Sequence, residues 1–302
     1  MKQQFTVLPE QQGIRIDRYL TDACETLSRS YLQKLLKTEA VQVNGEPVKP
    51  NYKVANQDQI ELDVPEAVEA EIKAESMNLD VLYEDSDIIL INKPKGMVVH
   101  PAAGHDSGTL VNGLMEHCKD NLSGINGVMR PGIVHRIDMD TTGVLIVCKN
   151  DMAHASIAQQ LKEHSITRIY RAIVHGVIKE DEGTVDAPIG RHPVDRKKMS
   201  INHRQGRAAI THYRVLKRFH QYTYIECRLE TGRTHQIRVH MASIGHPLLG
   251  DRVYGPSKCP FALQGQTLHA GILGIIHPRT ETYMEFEAPL PEYFTELLNK
   301  LP

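Results

Sequence analysis

The stretch RPGIVHRIDMDTTGVLIVCKN, from Arg130 to Asn150, is the most informative part of this 302-residue chain. Arg136 and Asp138 fall in a polar turn between the short apolar pair Ile133–Val134 and a β-branched run that starts at Gly143. A carboxylate placed there is carried by a rigid strand yet can face a cleft, as a nucleophile or general base must. An aspartate in a turn also serves as an Asx-turn residue, bonding its own backbone, and residue type alone leaves that reading open. Asp140 has the same claim, and spacing does not separate it from Asp138.

Other chemistries lack their usual residues. The five cysteines, Cys24, Cys118, Cys148, Cys227 and Cys259, are scattered and odd in number, without a CxxC pair, so neither a disulfide framework nor a cysteine zinc site is expected. The sixteen histidines include no HExxH, and His235 and His240 lie five apart rather than at a helical i,i+4 spacing. GxGxxG and GxxxxGK[ST] are both missing, which argues against a nucleotide cofactor and a doubly wound fold. No metal and no cofactor are expected. The start of the sequence shows no export or organelle signal, and no apolar run approaches the ~18 residues of a membrane span, so a cytoplasmic protein is expected.

A formal net charge of −2 offers no overall attraction to a polyanion, but local sums differ. Between Arg191 and Arg218 there are nine basic residues, with Arg196, Lys197 and Lys198 consecutive, against Asp195 alone. That is the footprint of a surface that follows phosphates, although a solvated loop has the same composition. Near the amino terminus Arg15, Arg18, Arg29, Lys34 and Lys37 outnumber Asp17, Asp22 and Glu25. The charges that cancel these lie in an acidic run from Glu61 to Glu75 and in a carboxy-terminal segment with Glu281, Glu285, Glu287, Glu292 and Glu296.

The elements that must position these groups divide at the acidic run, which reads as a linker over residues 63–76. Residues 1–62 show two short helical patterns, around Ile16–Leu27 and from Ser30 to Lys37, with Ser28 or Ser30 as cap of the second. An Asn-Gly hairpin signal follows at Val43–Gly45. Residues 77–302 carry strand-like runs at Asp87–Ile91, Gly143–Val147, Tyr170–Val174, Tyr222–Leu229 and Tyr283–Phe286, and two or three helical segments, notably Met152–His164 and Thr234–Ile244. The expected class is α+β: a helix-plus-hairpin module, then a domain built on a large mixed, mostly antiparallel sheet.

The sequence resembles the RluA/RluD family of RNA pseudouridine synthases. His135-Arg136-Ile137-Asp138 followed by Thr141-Thr142-Gly143 looks like that family's catalytic signature. INKPKGMVVHP, RIYRAIVHG, ETGRTHQIRVHMASIGHPLLGDRVYG, LHAGILGIIHP and FEAPLP match further blocks in order. The amino-terminal unit is similar to the RNA-binding module shared with ribosomal small-subunit protein four. Ile137 and Thr142 stand where Leu and Ser are commoner, and Gln57-Asp58 replaces a usual Gly-Asp turn, which leaves that turn's geometry in doubt.

The resemblance implies a fold, a reaction and roles. Asp138 is the implied nucleophile. The arginine paired with it is assigned by motif position to Arg238, with Arg233 second, phosphate binding being the other reading of either. Tyr170 matches the tyrosine that packs on the target base, Arg136 is a candidate for the space a flipped base vacates, and His135 would order the loop. Lys93 and Pro94 look like pocket-wall residues. The implied partner is RNA, specifically large-subunit ribosomal RNA, within a pre-ribosomal particle if the target is reached there, and a monomeric enzyme is expected. The competing readings are a non-catalytic RNA-binding assembly factor, a synthase acting on tRNA, and a uridine hydrolase with Asp140 as its second carboxylate.

Overall fold

The structure is a computed structural model. It describes residues 2–24, 27, 29–64, 72–102, 104–119, 121–125, 130–195 and 198–302, apart from the side chains of Arg29, Ser30 and Lys34. The expected roles of Arg29, Lys34, Arg196 and Lys197, the two candidate serine caps, and residues 65–71 of the expected linker therefore lie outside what is described. The chain divides into two compact units, Met1–Ala70 and Glu71–Pro302.

The first unit runs β1 (Lys2–Thr6), α1 (Ile16–Ala23), α2 (Arg29–Lys37), β2 (Val41–Val43), β3 (Glu46–Pro47) and β4 (Gln59–Asp63). Its antiparallel sheet has the order β1-β4-β2-β3. β4 alternates as a one-sided strand should, burying Ile60 and Leu62 while Gln59, Glu61 and Asp63 face solvent. Ile16, Tyr19 and Leu20 of α1 and Leu32, Leu35 and Leu36 of α2 close the core over that face. Asn44 and Gly45 both have positive φ, 53° and 86°, as a two-residue hairpin turn requires. Gln57 also takes a left-handed conformation, with φ 69°. The next residue holds this turn: buried Asp58 accepts hydrogen bonds from Asn44 Nδ2, Tyr52 Oη and the Ala55 amide.

The second unit runs β5 (Val81–Glu84), β6 (Ile88–Lys93), α3 (Leu110–Cys118), β7 (Thr142–Cys148), α4 (Asp151–Lys162), β8 (Thr167–His175), β9 (Glu182–Asp186), β10 (Ile189–Arg191), β11 (Met199–Ile201), β12 (Ile210–Arg218), β13 (Tyr222–Leu229), α5 (Gln236–Ser243), β14 (Leu268–Ile276), β15 (Tyr283–Glu287) and α6 (Glu292–Lys300). The large sheet has the order β5-β6-β7-β14-β8-β13-β12-β9, with β15 on β14, while β10 and β11 form a separate ribbon. Among its described pairings only β7 with β14 is parallel. All seven residues of β7 are buried, as expected of a central strand covered on both faces. The expected strand runs fall on β6, β7, β8, β13 and β15.

Two differences from the sequence reading have physical causes. Among the described residues four helices form in the second unit rather than two or three. α3 hides its pattern because Asn112 and Gly113 interrupt LVNGLMEHC, yet Thr109 and Asn112 cap it reciprocally and a Cβ at Gly113 would meet the Met77 side chain at 2.5 Å. α6 is short, starts at a proline cap and buries Phe294 and Leu297. Second, residues 72–75 of the expected solvated linker pack on the second unit. Ile72 is buried in its core, Asn112 Nδ2 donates to the Lys73 carbonyl, and the Glu75 carboxylate accepts from the Gly108 amide.

One register row positions the site. Lys93, Gly143, Ala270, Tyr170 and Cys227 lie side by side across β6, β7, β14, β8 and β13. Gly143, with φ 106°, is packed so closely on β14 that a Cβ would meet the Ala270 carbonyl oxygen at 2.1 Å. No helix among the described residues is long and apolar enough to cross a membrane. Gly143→Ala is expected to lower the stability of the second unit by about 2–5 kcal/mol, combining backbone strain with overpacking. Urea unfolding followed by circular dichroism measures this.

Candidate active site

Asp138 lies in the turn that leads into β7, its carbonyl accepting the Thr141 amide. That turn bond is made by the main chain, so the Asp138 side chain is left for other partners. Its Oδ2 accepts from Arg238 Nη1 at 2.9 Å, so a pair one hundred residues apart in sequence closes across the site. The Arg238 guanidinium is held from behind by Asp251, through Nε to Oδ2 at 2.6 Å and Nη2 to Oδ1 at 2.9 Å, and lies over the Tyr254 ring. Asp251 Oδ1 is itself fixed by the Val253 and Tyr254 amides. Burial opposes the charge of Arg238, but the hydrogen bonds and charges of Asp251 and then Asp138 outweigh it and raise its pKa. Asp251 is likewise penalised by burial and drawn below its ordinary value by Arg238. Asp138 remains the open member, with 19% of its side chain exposed against 7% for Arg238.

Arg238 can do this because α5 is locked. Gln236 accepts from Thr231 Oγ1 and the Arg233 amide and donates to Ile210 O and Thr211 Oγ1, while His240 spans from Thr211 to the Ala187 carbonyl. His235 caps the helix with φ 57° and brings its Nε2 to 3.8 Å from Asp138 Oδ2. Tyr254 Oη accepts from the Met199 amide and lies 2.8 Å from His235 Nδ1, which holds the imidazole ring in place.

The Asp138 turn is pinned from below. Lys93 is fully buried, and its Nζ donates to the carbonyls of Pro94, Met97 and Met139 at 2.8, 2.9 and 2.9 Å. Burial pushes its pKa down to about 7 while Asp140 and Asp138 hold it up. Three accepted bonds need three N–H donors, so the ammonium is the form that fits. Lys93 is therefore a clamp on the turn, not the pocket wall its motif suggested. The Gly96 amide also reaches Met139 O, and His135 accepts the Ile146 amide, which orders the loop as expected. Thr141 and Thr142 bond Gln266 and His269.

Tyr170, on β8, is buried. Burial raises its phenol pKa, with Arg168 lowering it and Asp138 raising it, so it is a neutral phenol beside the Asp138–Arg238 pair. A cavity of about 760 Å³ opens against Met139, Asp140, Arg238, Arg252, Phe261 and Gln266. Asp138 itself is not on its wall. Among the described residues one cluster has metal-like donors, Asp85, Asp87 and His277. Its carboxylates already take Tyr83, His277, two backbone amides, Asn150 and both arms of Arg279, so it ties strands together.

The expected RNA-binding residues separate. Arg136 is exposed beside Asp138, and Arg233, half-buried, donates to Ala208 O. Arg15 pairs with buried Asp17, whereas Arg18 is exposed on α1. Within the basic run at 191–218, Lys198 lies in the loop that joins β10 to β11, and Arg214 and Arg218 on β12 pair with Glu226 and Asp181. The sequence reading gave no role to Asp251, Tyr254 or Arg168. Asp251 and Tyr254 stand in GDRVYG, a block that matched without a function.

Residues 87–243 match the family model for RNA pseudouridylate synthase, and residues 14–60 match the S4 domain. The chain belongs to the RNA pseudouridylate synthase family. It is 56% identical over 297 residues to the RNA pseudouridine synthase YlyB of Bacillus subtilis, covering 98% of this chain and 97% of that one. It is 47% identical over 300 residues to the ribosomal large subunit pseudouridine synthase D of Zymomonas mobilis, covering 96% and 94%. A solved structure, human RNA pseudouridylate synthase domain containing 1, is similar at 28% identity and TM-score 0.59, covering 71% of this chain and 84% of that one. The family's substrate is RNA, and the enzyme is an isomerase.

Asp251→Asn is expected to lower kcat/KM for pseudouridine formation by about a hundredfold while the fold persists, because Arg238 loses its clamp. The Asp251 carboxyl has a folded pKa below its unfolded one. Its stabilising contribution is therefore complete above pH ~4 and is lost as pH falls further. Thermal melts from pH 3 to 7 should show the difference between wild type and Asp251→Asn shrinking at the acid end.

Proposed function

We propose that this protein converts specific uridines of large-subunit ribosomal RNA into pseudouridine, with Asp138 as the reacting carboxylate. The observation that carries this is the Asp138–Arg238 ion pair, partly open to solvent and clamped by Asp251, beside a buried tyrosine. The reaction breaks the N1–C1′ bond, turns the uracil and joins C5 to C1′; the C5 proton leaves and N1 gains one, so atoms balance without redox or net hydrolysis. An aspartate attacking either sugar or ring must be held still, and the hydrogen bond from the opposed guanidinium does this.

Tyr170, neutral because it is buried, presents a face for the target base and a hydroxyl for the C5 proton. A base within a helix is unreachable, so the nucleotide is flipped out, and exposed Arg136 fills the vacated space. Arg233 and the described bases Arg15, Arg18 and Lys198 meet phosphates. The first unit binds RNA in its own right, raising the local concentration of the target loop. Ribosomal RNA is favoured by the relatives named for the large subunit. Asp138, Tyr170 and Arg238 come from one chain, so a monomer acting in the cytoplasm, on free rRNA or a pre-ribosomal particle, suffices.

Carbodiimide mapping of pseudouridine in rRNA and tRNA from cells lacking the gene tests this. Specific large-subunit sites should disappear and return with wild type but not with Asp138→Ala. Restoration by the mutant would remove Asp138 from the chemistry, and changes confined to tRNA would move the substrate there. Deleting residues 1–70 should weaken selection of the rRNA target at least tenfold while sparing turnover of a short stem-loop.

A further inference from the structure

Arg168 lies on β8 two residues before Tyr170, so the two side chains share one face of the sheet. Only 7% of it is exposed. Its Nη2 donates to the Glu230 carbonyl at 2.8 Å, while its Nε is buried and has no hydrogen-bond partner among the described residues. No ion pair of Arg168 occurs among them either. Glu230, whose carbonyl it meets, turns its carboxylate to His212 at 2.6 Å. Other neighbours do not supply negative charge: His135 is held neutral by burial, with a pKa pushed to about 3, and Tyr170 is a neutral phenol. Arg233 adds charge of the same sign, its pKa lowered by burial, then by Arg207 and Arg168.

A buried guanidinium without a counter-charge is costly, and it is retained where an anion completes it. Lys93 shows the contrast, since all of its donors are taken by carbonyls. The Nη1 end of Arg168 lies against Gly232, an exposed residue that lacks a side chain. A Cβ on Gly232 would lie 2.6 Å from Arg168 Nη1.

We propose that Arg168, with Arg233 beside it, is an anion subsite that takes a phosphodiester of the RNA strand next to the target uridine. A guanidinium offers the planar fork that a phosphate accepts in two bonds. Its placement next to Tyr170 couples the phosphate directly to the position of the base, so the contact sets how the flipped nucleotide is seated. The substrate side of this inference rests on the pseudouridine synthase reading; the anion site itself does not.

The first probe is pyrophosphate, titrated calorimetrically at low salt into wild type, Arg168→Met and Gly232→Ala. Binding should weaken about tenfold to a hundredfold in Arg168→Met, the range of a charge-assisted hydrogen bond. Gly232→Ala, whose methyl occupies the outward side of Nη1, should weaken it as well and carries the test if Arg168→Met does not fold. Unchanged affinity in the folded variants overturns the subsite whatever RNA the enzyme acts on. The second probe is a substrate stem-loop with single neutral methylphosphonate linkages flanking the uridine. One linkage should cost wild type tenfold or more in kcat/KM and cost Arg168→Met nothing further. Equal sensitivity of both enzymes to every linkage would overturn the phosphate assignment. If wild type modifies no RNA while pyrophosphate binding still depends on Arg168, the reaction reading fails and the anion site stands.

Discussion

Everything in the candidate site depends on one guanidinium shared unequally between two carboxylates. Asp251 takes two arms of Arg238 and is fully buried; Asp138 takes the third and stays partly open. The division matters because a flexible arginine opposite a lone aspartate would lose its geometry to side-chain entropy and water. Once Asp251 and two backbone amides fix the guanidinium plane, Asp138 faces a charge that need not reorganise during reaction. The burden is moved to α5, which accordingly hides nearly every residue and satisfies Gln236 and His240 fully.

The sheet supplies the other half of the alignment. The row from Lys93 through Gly143 and Ala270 to Tyr170 sets the clamp of the turn, its close packing and the stacking face at successive strand spacings of ~4.8 Å. Since side chains alternate faces, a one-residue slip of β8 would turn Tyr170 and Arg168 away together. The row is thus both a structural and a chemical register.

Much of this was legible in the sequence because motif order survives without geometry. Asp138 and Arg238, both named from the motifs, meet in an ion pair, and the Asn-Gly turn has the positive φ values its residues demand. What stayed hidden was hidden for specific reasons. Lys93 looks like a pocket-wall residue until three carbonyls are seen to surround it. Asp251 carries no sign of its role because its partner lies thirteen residues away on a helix. The run at 191–218 reads as one basic patch because a linear sum cannot see Glu226 and Asp181, which reach β12 from a neighbouring strand and a loop. Helix α3 was missed since Gly113 lowers helix propensity while close packing requires it.

Strand β14 lies between β7 and β8 but is made more than ninety residues after β8 in the chain. During synthesis the edges of both earlier strands must wait for it, with their backbone groups unpaired or borrowed. The large sheet therefore belongs to the high-contact-order class whose assembly is slow, and its last inserted strand completes the row on which the reacting groups sit. Thr141 and Thr142 beside the Asp138 turn are likewise bonded by Gln266 and His269, so competence waits for completion of the fold.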